Sequence, residues 1–259
     1  MTNHLHFIPI TSPLRLESFN LTDVLIEQLA KDGNQLQQGD IVIISSKFAA
    51  IAEGRIVQLA EVVPSPAAYD LAEEYKLTPT LAELIIQESD HIFGGIEGFI
   101  LSVKDNIIAP NAGIDSSNVP AESVVLYPAR PFFTAQMVKS SVQQQLGIEI
   151  GVILSDSRLM PGRTGTTGVA IGVAGFVPVI DERGKPDLLG KPLKVSQRAV
   201  ADNLCAAAEL LMGEAAEGIP AVVARNTGIV MTGDVPYTWR DLAIDYNIDI
   251  YVAIMGKRQ

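Results

Sequence analysis

Three polar residues, Ser45, Ser46 and Lys47, directly follow an apolar run at positions 41–44. An unbroken run of branched apolar residues is typical of a strand buried on both faces. Hydroxyl groups and an ammonium group at the carboxyl end of such a strand can donate hydrogen bonds to phosphate oxygens. The alternative is a helix N-cap followed by a solvated lysine.

Two carboxylates occur among other short, oxygen-bearing side chains. Asp156 and Ser157 end the segment GVILSDS at 151–157, and Asp115 belongs to NAGIDSSN at 111–118. Hard divalent cations prefer such ligands. If the fold brings Asp156 near Asp115, the two carboxylates could complete one metal site. The alternative for each is an ordinary Asx turn.

Glu214 is a further candidate because it follows Gly213 at the end of a long helical pattern, although a solvated glutamate is the ordinary interpretation. The three histidines lack the ligand spacing of a zinc site. Cys205 lies among alanines, which favours core packing. The segment GRTGTTG at 162–168 lacks the Gly-Lys-Ser/Thr ending of a phosphate loop.

These residues require strands and helices to position them. Buried strands are predicted at 39–47, 147–156, 218–225 and 248–255. The segment 195–215 predicts a helix with Ser196 as N-cap and Gly213 at its end. Residues 65–89 predict two short helices broken near Pro79, and residues 98–113 predict a hairpin around Lys104-Asp105-Asn106.

The mixture of elements indicates a mixed α/β (α+β) fold. Without an obvious linker or repeat, residues 1–259 are expected to form one unit of two interleaved lobes, with a β-rich central region near 90–190.

The net charge of −11 argues against nucleic-acid binding, which needs a basic face. We expect no membrane span, because apolar runs are too short, and no secretion signal. One cysteine excludes an internal disulfide, and the expected location is cytoplasmic.

In chain order, the motifs resemble the coenzyme F420-0:gamma-glutamyl ligase family from about residue 8 to about residue 225. They are strand–Ser-Ser-Lys, AEGRIV, NAGIDSSN, SDS…P.R.G.TGVAIGVAG and AVADNLCAAAELLMGEAAEGIP. The resemblance implies an amide ligase that joins L-glutamate to the carboxylate of a phospholactyl deazaflavin, consuming GTP through an acyl phosphate. It also implies a two-lobed fold unlike ATP-grasp and Mur-type ligases, a homodimer, two divalent cations (Mg²⁺ or Mn²⁺) and room for a monovalent cation such as K⁺.

The resemblance also assigns roles to individual residues. It makes Asp115 and Asp156 catalytic ligands of a first metal, and Ser157 and Glu214 ligands of a second. The implied nucleotide contacts are Ile10, Thr11, Ser12, Pro13, Ser45, Ser46, Lys47, Asn118, Met212, Gly213, Glu214 and Gly218.

The segment 158–168 departs from the family pattern, which reads Asp-Ser-Phe-Gly-Arg-Pro-Trp-Arg and then Gly-Gln-Thr-Asp. An aromatic side chain and a cation are replaced or moved. Arg158, Arg163 and Thr167 are therefore candidates for contacts with the acceptor or the amino acid. Three hypotheses stay open: the deazaflavin ligase, a related ligase with another acceptor or amino acid, and a nucleotide-binding regulatory module without turnover.

Overall fold

The structure, a computed structural model, describes residues 4–255 and their side chains up to residue 252. The α-helices are α1 (Leu21–Lys31), α2 (Ser46–Ala52), α3 (Pro66–Tyr75), α4 (Pro79–Glu88), α5 (Pro131–Leu146), α6 (Val200–Met212) and α7 (Ile250–Met255). The strands are β1 (His6–Ile10), β2 (Ile41–Ser45), β3 (Ile56–Gln58), β4 (His91–Ile96), β5 (Phe99–Lys104), β6 (Ile107–Pro110), β7 (Ser123–Val125), β8 (Gly151–Leu159), β9 (Thr166–Ala174), β10 (Val179–Asp181), β11 (Gln197–Ala199) and β12 (Ala221–Arg225). The mixed α/β class is confirmed.

A five-stranded sheet in the order β1-β12-β2-β8-β9 forms the centre of the molecule. Strands β2 and β8 are parallel and run in register from Ile41 opposite Gly151 to Ser45 opposite Ser155. Three of the predicted apolar strands, at 39–47, 147–156 and 218–225, correspond to β2, β8 and β12. They form strands because their side chains are buried on both faces of the sheet.

Helices cover both faces of this sheet. Val42 and Ile44 of β2 point into a core shared with α1 and α5, whereas Ile41 and Ile43 point into a core shared with α6. Successive residues of a strand face opposite sides, so one strand contributes to both cores. The result is a three-layer arrangement of helix, sheet and helix.

Two glycines in β9 allow the helices to approach the sheet closely. A Cβ at Gly168 would lie 2.5 Å from the Cys205 carbonyl oxygen in α6, and one at Gly172 would lie 2.5 Å from Pro131 backbone in α5. Residues four apart in a regular strand face the same side of the sheet. A bulge in the β8–β9 pairing, between Leu154 and Ser155, lies between these two glycines and turns them to opposite faces. These glycines of the segment 155–175 therefore serve packing.

The residues between β2 and α5 form two smaller sheets and the helices α3 and α4. One sheet pairs β3 with β7, and the other has the order β4-β5-β6. The hairpin of β5 and β6 is confirmed, with Asp105 and Asn106 at positive φ in its turn. The break near Pro79 is also confirmed, since that proline begins α4. The division into two lobes stays a prediction.

Two expectations about local structure are wrong. The predicted strand at 248–255 is a loop end followed by α7, because Asp249 accepts hydrogen bonds from the backbone N–H groups of Tyr251 and Val252 and so caps a helix. Ile250 is also 67% exposed, unlike a core-strand residue. Ser196 does not cap α6, since the backbone of 197–199 pairs with β10 and the helix begins only at Val200.

Within residues 4–255, no helix combines the length and apolar character that a membrane crossing requires.

Candidate functional site

A cavity of about 440 Å³ opens at the carboxyl ends of β2 and β8. Its volume is in the range of small-molecule sites. Most of the residues proposed from the sequence line it: Ser12, Pro13, Ser45, Ser46, Lys47, Asp115, Asn118, Asp156, Ser157, Met212, Gly213, Glu214 and Gly218. The structure thus brings together segments that are up to about 200 residues apart in the chain.

The parallel pair β2 and β8 positions the first two functional side chains. Helix α2 begins at Ser46 without an intervening loop, and Asp156 is the residue after Ser155 in β8. The Ser46 hydroxyl donates a 2.6 Å hydrogen bond to Oδ1 of Asp156. A carboxylate is therefore fixed at the edge of the sheet, beside the first turn of a helix.

Asp115 reaches the same edge through a strained turn. Asn111, Ala112 and Gly113 all have positive φ, and a Cβ at Gly113 would lie 2.6 Å from the Tyr127 ring. After this turn the backbone of Asp115 pairs with Val125. Only glycine accommodates that close approach to the ring, so the turn directs Asp115 toward β2.

The environment of Asp115 favours its charged form. Lys47 Nζ lies 2.7 Å from Oδ2, and the Ser117 N–H donates a 2.6 Å hydrogen bond to Oδ1. Burial by itself would raise the pKa of Asp115, but the hydrogen bonds and charge of Lys47 and the hydrogen bond from Ser117 hold that pKa below its ordinary value. Asp115 is thus an anion, as a carboxyl group that binds a cation must be.

A small cavity of about 20 Å³ lies between the two carboxylates. Asp115, Asp156, Ser46 and Lys47 line it, together with residues of the 113 and 125–127 segments. This space accommodates one water-sized particle. Among the described residues, no three His, Cys, Asp or Glu side chains cluster as a metal-binding group. The oxygen donors fit a hard divalent cation, provided that a ligand or water completes its coordination.

A second carboxylate group lies where α6 ends. Glu214 accepts hydrogen bonds from the hydroxyls of Ser157 and Thr166, and these bonds hold its pKa below the ordinary value against the opposing effect of burial. Glu209, in the last turn of α6, lines the same cavity. Burial and the charge of Glu214 raise the pKa of Glu209 to about 7.

Glu209 is not among the site residues predicted from the sequence, because a single glutamate in an apolar helical pattern is ordinarily a solvated residue. The available signal was its spacing, five residues before Glu214 and on the last turn before Gly213. Two carboxylates at one helix end repel each other unless a proton or a cation separates them.

Two hydrogen bonds to backbone carbonyls hold the proposed nucleotide segments together. The Ser12 N–H donates to the Gly218 carbonyl at 2.9 Å, and Asn118 Nδ2 donates to the Ala215 carbonyl at 3.0 Å. The loop after α6 therefore lies between the N-terminal segment and the Asp115 turn.

Five predicted residues do not line the cavity. Ile10 is buried in β1, and Thr11 donates to Asp32. Arg158 is buried, with its Nε donating to Oδ2 of Asp156 at 2.8 Å. Thr167 pairs with Arg158 across β8 and β9, and Arg163 is exposed in the turn between those strands.

Over most of its length the chain is similar in sequence to one family of ligases. A family model described as F420-0:Gamma-glutamyl ligase matches residues 10–226. The chain is 41% identical over 204 residues to a Coenzyme F420:L-glutamate ligase of Methanothermobacter thermautotrophicus, covering 78% of this chain and 81% of that protein. It is 37% identical over 202 residues to the protein of that name from Methanopyrus kandleri, covering 78% and 80%. It is 32% identical over 214 residues to the protein of that name from Methanocaldococcus jannaschii, covering 82% of this chain and 83% of that protein.

The raised pKa of Glu209 predicts a pH-dependent stability. A carboxyl group whose pKa is raised on folding stabilises the folded state fully below its ordinary pKa of 4.5, and this stabilisation is lost as the pH rises through about 7. We expect the free energy of unfolding of the wild type, relative to Glu209→Gln, to fall between about pH 5 and about pH 7.5. Urea unfolding without divalent cations measures it, with exposed Glu73→Gln as control. A difference that does not vary with pH would contradict the expectation.

Proposed function

The chain belongs to the F420-0:Gamma-glutamyl ligase family, and we propose that it joins L-glutamate through an amide bond to the carboxylate of a phospholactyl deazaflavin, coenzyme F420-0. GTP and divalent cations drive the reaction in this proposal. The observation that carries it is the small cavity shared by Asp115 and Asp156 beside Ser46 and Lys47.

The reaction needs activation because a carboxylate is a poor electrophile. A carboxylate oxygen of the acceptor attacks the γ-phosphorus of GTP, the bond to the β-phosphate oxygen breaks, and an acyl phosphate and GDP form. The glutamate amine then attacks the acyl carbon, inorganic phosphate leaves, and the amine proton passes to solvent. One amide bond is formed for each GTP consumed.

The residues of the site have separate roles in this proposal. Lys47 leaves Asp115 to donate to a phosphate oxygen, as a lysine can because its ammonium group is a flexible point charge. Asp115 and Asp156 would hold one divalent cation, and Ser157 and Glu214 a second. When bound, Mg²⁺ or Mn²⁺ neutralises phosphate charge and polarises the γ-phosphate. Ser46 keeps Asp156 oriented through its 2.6 Å hydrogen bond.

A ligase with a different acceptor is the second candidate. The tip of the β8–β9 hairpin departs from the family pattern, and its Leu159, Met160 and Arg163 are exposed. An acceptor that contacts this tip would therefore meet other side chains than in the family pattern.

Turnover on a defined acceptor tests the proposed reaction. We expect GTP-dependent phosphate release and a glutamylated product when the phospholactyl deazaflavin and L-glutamate are supplied together, as measured by mass spectrometry. Omission of either substrate is the control. Failure with this acceptor but activity with another carboxylate would favour the second candidate. Nucleotide binding without turnover on any acceptor would favour a regulatory module.

Removal of one carboxylate tests the cation requirement. We expect GTP to bind much more weakly in EDTA than with Mn²⁺, because Lys47 must leave Asp115 to reach a phosphate oxygen and the exposed carboxylate then repels the polyphosphate. Asp115→Asn or Asp156→Asn should lower turnover about 100-fold or more, since each removes a charged cation ligand. Calorimetry and steady-state kinetics measure both effects, with exposed Asp70→Asn in α3 as the matched control. Equal GTP affinity in EDTA and Mn²⁺ would refute the cation role.

A homodimer is part of the proposal because the family resemblance implies one. Leu188 and Leu189, at the tip of the β10–β11 hairpin, are almost fully exposed and are the contact that we test. We expect light scattering to give twice the 27.7 kDa chain mass. Changing both leucines to Asp should shift the protein toward the monomer if that hairpin contacts the second copy. Val63→Asp, at another exposed apolar position in the chain, is the control. A monomer mass for the wild type at all micromolar concentrations would contradict the dimer.

A further inference from the structure

Each of the two central carboxylates has its own cationic partner within the chain. Lys47 lies 2.7 Å from Asp115, and Arg158 lies 2.8 Å from Asp156. The two pairs differ in accessibility, since the Lys47 side chain is 22% exposed and the Arg158 side chain 5%. One of the two cations is therefore open to a ligand, and the other is enclosed.

Several contacts fix Arg158 in place. Residues 156 and 158 are two apart in β8, so their side chains share one face of the strand. The guanidinium donates to Oδ2 of Asp156 and to the Ile108 carbonyl of β6, and it lies 5.8 Å from the Tyr127 ring centre. Because these groups enclose it, Arg158 cannot move into the cavity as Lys47 can, and its charge stays beside Asp156.

The charge of Arg158 has a consequence for cation binding. With Lys47 and Arg158 present, the two carboxylates are balanced by two cations, so a divalent cation alone gains little by entering the small cavity. A polyphosphate would draw Lys47 away from Asp115 and add negative charge of its own. The site then attracts a divalent cation strongly.

We propose that Arg158 is a positioning residue that acts through Asp156 as a fixed counter-charge and makes cation binding depend on bound nucleotide. This inference rests on the proposed function, because it assumes that Asp115 and Asp156 share a cation beside a nucleoside triphosphate. Arg158 acts through its charge from within the protein, so this role requires no contact between Arg158 and the acceptor.

Arg158 also orients Asp156, and loss of this orientation would weaken cation binding. The Ser46 hydroxyl still holds Oδ1 of Asp156 at 2.6 Å when Arg158 is changed. We therefore expect the loss of charge to dominate, so that removal of the arginine charge strengthens the binding of a free cation. A gain of binding is a result that structural damage does not produce.

The test measures Mn²⁺ alone, without nucleotide, on the full-length protein by calorimetry or by the electron paramagnetic resonance of free Mn²⁺. We expect Arg158→Gln, which keeps a hydrogen-bond donor, and Arg158→Met to bind Mn²⁺ about tenfold or more tightly than the wild type. Arg158→Lys restores the charge and should bind as weakly as the wild type.

The matched control is Arg225→Met. Arg225 donates to both oxygens of Asp40, which is 1% exposed, so this variant also removes a largely buried arginine–aspartate pair from the central sheet, at the opposite end of β12. Its affinity for Mn²⁺ should stay that of the wild type. Thermal unfolding of each variant confirms that the protein compared is folded.

Two results would overturn the inference: folded Arg158→Gln that binds Mn²⁺ no more tightly than the wild type, or an equal gain in Arg225→Met. The proposed function fails separately, if the wild type binds no GTP in the presence of Mn²⁺. A gain by Arg158→Gln in that case would still support the counter-charge.

Discussion

The in-register parallel pairing of β2 with β8 is the constraint on which the site depends. It places Ser45 opposite Ser155, so the residues that follow them in the chain, Ser46 at the start of α2 and Asp156 in β8, meet at the same edge of the sheet. Parallel strands share their carboxyl-terminal edge, and crossover connections there leave room for a ligand. A shift of this register by one residue would turn Asp156 to the other face and separate it from Ser46.

The burial of these strands depends in turn on the close approach of two helices to β9. Gly168 and Gly172 admit the backbones of α6 and α5, and the bulge between them lets the two glycines face opposite layers. The glycine-rich segment 155–175 is thus divided along its length. Its first residues reach the site, its middle forms an exposed turn, and its last residues pack the sheet between helices.

The sequence predicted the parts of the fold that local physics determines. Apolar runs became buried strands, Pro79 began a helix, and Asp105 and Asn106 formed a turn with positive φ. The same reasoning failed at 248–255, because an apolar run does not distinguish a strand from a short helix capped by Asp249. The meeting of Asp115 with Asp156 could be expected only from resemblance to a family, since it depends on contacts between distant segments. The burial of Arg158 could not be expected at all, because it follows from the packing of β6 against β8.

The charges around Asp115 and Asp156 are balanced, although the whole chain carries a net charge of −11. Asp115 and Asp156 are balanced by Lys47 and Arg158. Among the described residues Glu209 and Glu214 form no salt bridge, although the charge of Lys47 helps to lower the pKa of Glu214. Charges at contact distance in a partly buried site interact more strongly than the distant, solvent-screened charges of the surface. The two central carboxylates of an acidic protein are therefore balanced locally, and the two cations that balance them differ in position, since Lys47 lines the cavity and Arg158 is enclosed behind Asp156.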